Sequence, residues 1–431
     1  MTKLDSFFDL SGRKTTVARE LRGAVATFLT MAYILVVNAN ILSSAGVPKD
    51  SAVACTALAA GVCCILMGLV ANFPLALASG MGLNAVVAFG ITSKAGSWQT
   101  AMGVIVLDGL VTLALVLAGL REAVLRAIPR DLRLAIGAGI GLFIALIGLV
   151  NAKIVMMSGI PDAPLQPGTL HDRATLIALV GLLITAVLVA REVTGAILIG
   201  IVVTTIVALF AGITQFQHGW AKPDFSAAFK ADVRGALRWD LVPVLFSVIM
   251  VDFFDTLGTA TAIAEEADLM DASGNIPGAR RILIIDSISA SIGGMLGASS
   301  VTCYIESAAG VAEGARTGLH TVFVGVFFLI SIFAAPWLGV VPPAATAPAL
   351  ILVGFLMISQ MAKVNFDDHS TAIPAFITLI TIPLTYSIAH GIGYGFIAFV
   401  VIKLLSGKLR DAHPLMYLTS AAFGAYFWWG R

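Results

Sequence analysis

Runs of about 20 apolar residues recur along the chain, near 23–42, 52–71, 97–119, 133–152, 174–190, 195–213, 239–263, 281–297, 318–335, 344–362, 371–389 and 391–405. Each is long enough to cross a hydrocarbon core as a helix. Two further apolar stretches, 72–92 and 298–314, open with Pro, Ser or Gly and short β-tolerant residues, then turn helical about halfway. Their pattern predicts discontinuous spans, each a short strand followed by a half-helix. Together these segments predict an all-α polytopic membrane protein with fourteen crossings. The aromatic tail "HPLMYLTSAAFGAYFWW" (413–429) predicts an interfacial or peripheral helix outside that count.

Composition agrees with the pattern. Hydrophobic residues make up 58% of the 431-residue chain and charged ones only 12%, about half the share of a soluble domain. The net charge of +1 points to no nucleic-acid partner. The first 21 residues are polar and basic, unlike a cleaved secretory leader. Cys55, Cys63, Cys64 and Cys303 all fall in apolar segments without metal-type spacing and are expected to pack as small residues. With an internal N-terminus, most of the 26 basic residues fall on the cytoplasmic side, including Arg13, Arg22, Arg121, Arg126, Arg133, Arg280, Arg316, Lys403, Arg410 and Arg431. The expected location is a cell membrane, with both termini cytoplasmic and the long 214–236 connection outside.

A weak repeat divides the chain. "ASGMGLNAVVAFG" (78–90) overlays "SVTCYIESAAGVA" (300–312), bringing Asn84 onto Glu306, and "NAKI" (151–154) matches "MAKV" (361–364). Seven spans precede the 214–236 connection and seven follow it. An odd number per half predicts two inverted repeats, whose paired broken helices form a substrate site at the midplane.

Carboxylates inside such spans are costly, about 2.5–3.5 kcal/mol each at the bilayer centre, and mark substrate or proton sites by default. Glu306 stands where the second broken stretch turns helical, with the choice between a ligand-binding carboxylate and a helix cap. Asn84 offers an amide that both donates and accepts, for a ligand or for a neighbouring helix. Asp252 and Asp255 are three residues apart and therefore share one helix face; if both ionised they would repel, so one is expected to be protonated or paired. Asp108 and Asp286 read as polar ties between helices, and His320 and His390, near span ends, as solvated residues. The glycine-rich 137–150 stretch reads as small-residue packing. No P-loop, metal-ligand cluster or nucleophile elbow is present, so no cofactor, metal or enzymatic activity is expected.

"ATFLTMAYILVVNANIL" (26–42), "ASGMGLNAVVAFG" (78–90), "VDFFDTLGT" (251–259) and "SSVTCYIESAAGVAEGARTG" (299–318) resemble the AzgA-type adenine, guanine and hypoxanthine permeases of the nucleobase–ascorbate transporter superfamily. The resemblance covers nearly the whole chain. It implies proton-coupled uptake of purine bases by an elevator-like or rocking movement of a core domain (23–119 and 237–335) against a gate domain (120–213 and 336–405). It also implies a homodimer joined through the gate, with 1–22 and 406–431 as cytoplasmic ends. Carried over, the family's substrate contacts fall on Asp255, Glu306, Asn84 and Tyr304. Proton coupling falls first on Asp255, which aligns with the family's site acid and lies deeper than Asp252, with Glu306 and Asp252 as the other candidates. The superfamily's usual glutamate is aspartate at position 255, as in the AzgA branch. The competing reading is an anion transporter of the same fold, of the sulfate or bicarbonate type.

Overall fold

The structure is a computed structural model that describes residues 3–119, 128–160, 163–169, 171–215, 222–271, 276–338, 340–408 and 411–429. Arg121, Arg126, Arg410 and Arg431, counted above toward the cytoplasmic charge, lie outside the described residues. The chain is mostly helical. Its first half contains α1 (Val17–Met31), α2 (Ile34–Ser44), α3 (Lys49–Leu66), β1 (Leu77–Ser79), α4 (Met81–Ala85), α5 (Trp98–Leu117), α6 (Arg130–Asn151), β2 (Val155–Ile160), β3 (Ala163–Pro167), α7 (Arg173–Ala190) and α8 (Ala196–Phe210). The second half contains α9 (Val242–Glu266), α10 (Ala279–Met295), β4 (Val301–Cys303), α11 (Ser307–Ala312), α12 (Gly318–Ser331), α13 (Pro343–Ile358), α14 (His369–Leu384), α15 (Ile388–Leu405) and α16 (Pro414–Trp429).

Helices of the first half pack largely on those of the second. On one side α5 lies against α10, α3 against α12, and α1 against both α12 and α11. On the other, α6 lies against α13 and α14, α7 and α8 against each other and α13, and α14 against α15. Lipid supplies no hydrophobic drive between helices, so close backbone approach has to. A methyl at Gly141 would stand 2.9 Å from the Gly354 carbonyl, and one at Gly354 would stand 2.4 Å from that of Gly141. Gly61 and Gly325 make the same mutual contact between α3 and α12. The glycine-rich 137–150 stretch therefore packs α6 against its neighbour.

The first span is not one helix. α1 ends at Met31, Ala32 and Tyr33 form a turn, and α2 restarts at Ile34. No glycine or proline marks that break. Beneath it, β1 and β4 pair antiparallel with Leu77 facing Cys303, Ala78 facing Thr302 and Ser79 facing Val301. All six residues are buried, where an unpaired backbone group is costly. Side chains complete the hydrogen bonding. Ser307 Oγ accepts from the Ala76 amide (2.9 Å) and donates to the Tyr304 carbonyl (2.7 Å). The Leu77 amide and carbonyl both meet Cys64 Sγ at 3.1 Å, so that thiol does more than fill space. Ser79 and Val301 are related by the same displacement as Asn84 and Glu306, so the strands cross at a pair that the repeat overlays.

Two expectations need correction. His320 is fully buried, not solvated, with Nε2 2.9 Å from Thr27 Oγ. The cause is Glu20, whose buried carboxylate on α1 accepts from the amides of Arg316, Thr317 and His320 and from the Thr317 hydroxyl, drawing the start of α12 under α1. His390 is half-buried, bonded to Ser387 Oγ at 2.8 Å and stacked on Phe427 at 5.2 Å. That stacking also packs the 413–429 tail, expected to be interfacial or peripheral, against α15. α16 runs antiparallel to α15, with Ser420 bonded to the Phe396 carbonyl and Tyr426 to Lys94. Phe423 and Phe427 fill the groove left by Gly393, where a methyl would come within 2.7 Å of either ring. Scattered aromatic and small residues lower the hydropathy of the tail without removing the face that packs.

Candidate functional site

The β1–β4 crossing fixes the site. Glu306 follows β4 by three residues and begins the six-residue α11, but its side chain makes no capping bond to that helix. Instead Oε1 accepts from the Tyr33 hydroxyl at 2.6 Å, a charge-assisted length. The capping alternative for Glu306 is thereby set aside. Thr30, in the last turn of α1, donates its hydroxyl to the Thr27 carbonyl at 2.8 Å and stands 3.5 Å from the Glu306 carbonyl. Tyr33 went unnoticed among the sequence candidates; the one available signal was a lone phenol in the middle of an apolar span, since a buried hydroxyl needs a partner.

Asp255 lies near the centre of the 25-residue α9, which packs against β4 and against α11, the helix that Glu306 begins. Its side chain is exposed, as is Gly258 one turn on, where an added methyl would meet nothing. Glu265 continues the exposed stripe to the end of the helix. Asp252 differs. It is fully buried, and one oxygen lies 3.5 Å from Ser300 Oγ, beside the entry to β4. Three residues advance a helix by about 300°, leaving a 60° offset that puts one carboxylate into packed protein and the other against open space. The shared face expected from spacing is therefore only partly shared.

Asn84 is buried in α4, its Nδ2 a long 3.5 Å from the Ser79 carbonyl and its Oδ1 without a hydrogen-bond partner among the described residues. A buried acceptor left open in this way calls for an explanation. Tyr304, nearly buried, spends its hydroxyl on the Ser79 carbonyl at 2.5 Å and so locks β4 to β1. Glu306, Asp255, Tyr304 and Asn84 thus surround one strand crossing, Asn84 through its contact with Ser79. Asp286 is a tie, as expected: it accepts from Thr256 (2.7 Å) and from Cys303 Sγ (3.4 Å), joining α10 to α9 and β4. Asp108 is buried within α5. A recess lined by Val86, Phe143, Val244, Ser247 and Tyr386 holds none of these carboxylates. Among the described residues, no group of three or more His, Cys, Asp or Glu is placed to hold a metal.

Paired broken segments meeting inside a bundle of apolar helices define a membrane transport protein, and the comparisons agree. The transmembrane domain of a cyanobacterium bicarbonate transporter, BicA, superposes with a TM-score of 0.65 at 17% identity, covering 86% of this chain and 96% of that one, which establishes the fold. Adenine permease AdeQ of Escherichia coli (strain K12) is 41% identical across 97% of this chain and 95% of its own length. Guanine/hypoxanthine permease PbuG of Bacillus subtilis (strain 168) is 39% identical across 98% and 99%. Residues 19–393 match the Permease family, and the chain belongs to it as an AzgA-type nucleobase permease. It is a multi-pass transporter and not an enzyme.

Proposed function

We propose that this protein imports purine nucleobases across the cell membrane, coupled to protons. The observation that carries the reading is a pair of carboxylates, Asp255 on α9 and Glu306 at the start of α11, on two helices that pack against each other at the strand crossing. A purine base is flat and uncharged, with N–H donors along its edge. Carboxylates on two facing elements can accept from those donors and so regain part of the hydration they lose. Asn84 Oδ1 is a third acceptor, and Tyr304 lends a ring beside Glu306. The named substrates of AdeQ and PbuG, adenine and guanine/hypoxanthine, support the purine class. An anion carrier of this fold would favour neutral or positive groups at its helix starts, and two acids argue against one.

Helix packing supports a core built from 23–119 and 237–335 and a gate from 120–213 and 336–405, with fourteen crossings in two inverted repeats. The exposed stripe from Asp255 to Glu265 supports access from the cytoplasmic end, as movement of core against gate requires. Dimerisation through the gate is part of the same reading. Uptake of labelled adenine, guanine and hypoxanthine into proteoliposomes tests it: saturable uptake of at least one base, competed by the others and indifferent to sulfate and bicarbonate, is expected. Saturable sulfate or bicarbonate transport without purine uptake overturns it.

The packing of α16 bears on where the C-terminus lies. Asp411, just before this helix, lies 3.9 Å from Lys403, near the end of α15, while Phe427 reaches His390 at its start. Sixteen residues of helix extend about 24 Å. That is shorter than the hydrocarbon core of about 30 Å, so we keep fourteen crossings and a cytoplasmic C-terminus in this reading. A cysteine appended after residue 431 should react with an impermeant maleimide only after permeabilisation; labelling from outside intact cells makes α16 an additional crossing.

A further inference from the structure

Two phenols stand beside Glu306, and they do different work. Tyr304 has committed its single O–H to the Ser79 carbonyl of β1. Tyr33 donates its own to Glu306 Oε1. We infer that Tyr33 is a positioning residue for the substrate-binding carboxylate, an inference that rests on the purine reading of the site. Tyr33 is only 1% exposed, so it acts through Glu306 and not on the base directly.

The chemistry follows from the donor count. A phenol has one proton to give, and giving it to Oε1 leaves the other carboxylate oxygen to accept from a purine N–H. Glutamate has three rotatable side-chain bonds, and a carboxylate free to swing would have to be ordered when substrate arrives. Tyr33 orders it beforehand, which is the preorganisation that favours tight binding. Its own position is set by the two-residue turn between α1 and α2, where Ala32 and Tyr33 both keep right-handed helical dihedrals, so the ring projects from a helical path. The first span thus contributes a side chain to the substrate site, alongside the two interrupted segments that the repeat relates.

Tyr33→Phe removes the hydroxyl and keeps the ring. Initial-rate uptake in proteoliposomes should show KM for the preferred purine raised about tenfold, equivalent to about 1.4 kcal/mol, with Vmax within about twofold of wild type. The melting temperature of the purified, substrate-free variant should stay close to wild type. Tyr304→Phe, which strips the donor from a buried strand carbonyl, should instead lower the melting temperature. A Tyr33→Phe protein with wild-type KM overturns the inference and leaves the purine reading standing. So does one whose melting temperature and Vmax both fall as its KM rises, since that marks a folding tie. Wild-type protein that takes up no purine overturns the functional reading, and this inference with it.

Discussion

Glu306→Gln should lose purine binding by at least about 100-fold while the protein still folds and reaches the membrane. The amide keeps the size of the carboxylate and one acceptor oxygen, so packing around α11 changes little. What disappears is the charge. A hydrogen bond to a charged group contributes about 1.5–3 kcal/mol, against about 1 for a neutral pair, and glutamine also turns an N–H toward a base edge that presents donors of its own. Two such contacts weakened together amount to about 3 kcal/mol, or about two decades of affinity. Because the Tyr33 hydroxyl already faces Oε1 at 2.6 Å, the variant can keep that bond only by directing its N–H into the site. Binding of labelled base to purified protein, with melting temperature as the folding control, reads the effect. Near-normal binding removes Glu306 from the substrate site.

Asp255→Asn should uncouple the protein. Exchange of labelled for unlabelled base across the proteoliposome membrane is expected to persist at reduced rate, whereas accumulation driven by an imposed pH gradient is expected to vanish. Asp255 is suited to carry the proton because it is exposed while its helix packs against α11, the helix that Glu306 begins. Two carboxylates so placed avoid sharing full charge, so protonation of one and occupancy of the site are linked. Asp252 is the weaker candidate: its side chain is enclosed beside Ser300, away from the exposed stripe. The measurement compares uptake with and without the gradient. If Asp255→Asn still concentrates substrate when the gradient is applied, the coupling proton sits elsewhere, and Asp252 is the next residue to replace.

Much of the molecule was legible in the order of residues. Apolar runs of membrane length, separated by basic loops, name a polytopic protein, because the cost of burying charge in hydrocarbon acts locally on every segment. The two interrupted stretches announced themselves through Pro, Ser and Gly ahead of a helical pattern, and strands stand at Leu77–Ser79 and Val301–Cys303. Glu306 and Asp255 stood out for a similar reason: a carboxylate in an apolar span is conspicuous whatever surrounds it.

The rest depended on partners distant along the chain. The break at Ala32–Tyr33 carries no helix-breaking residue, and the phenol beside it finds its acceptor 273 positions away. His320 is buried because Glu20, nearly 300 residues earlier, gathers the amides at the start of α12. Asp252 and Asp255 differ in exposure because a 60° turn of one helix faces different neighbours, which residue spacing does not specify. The tail at 413–429 became a packed helix only once Gly393 had opened a groove for Phe423 and Phe427. Hydropathy reports how each segment partitions between water and lipid, a property of the segment alone. Which hydroxyl meets which carboxylate, and which face of a helix meets open space, is decided by close packing between segments, and so only by the tertiary fold.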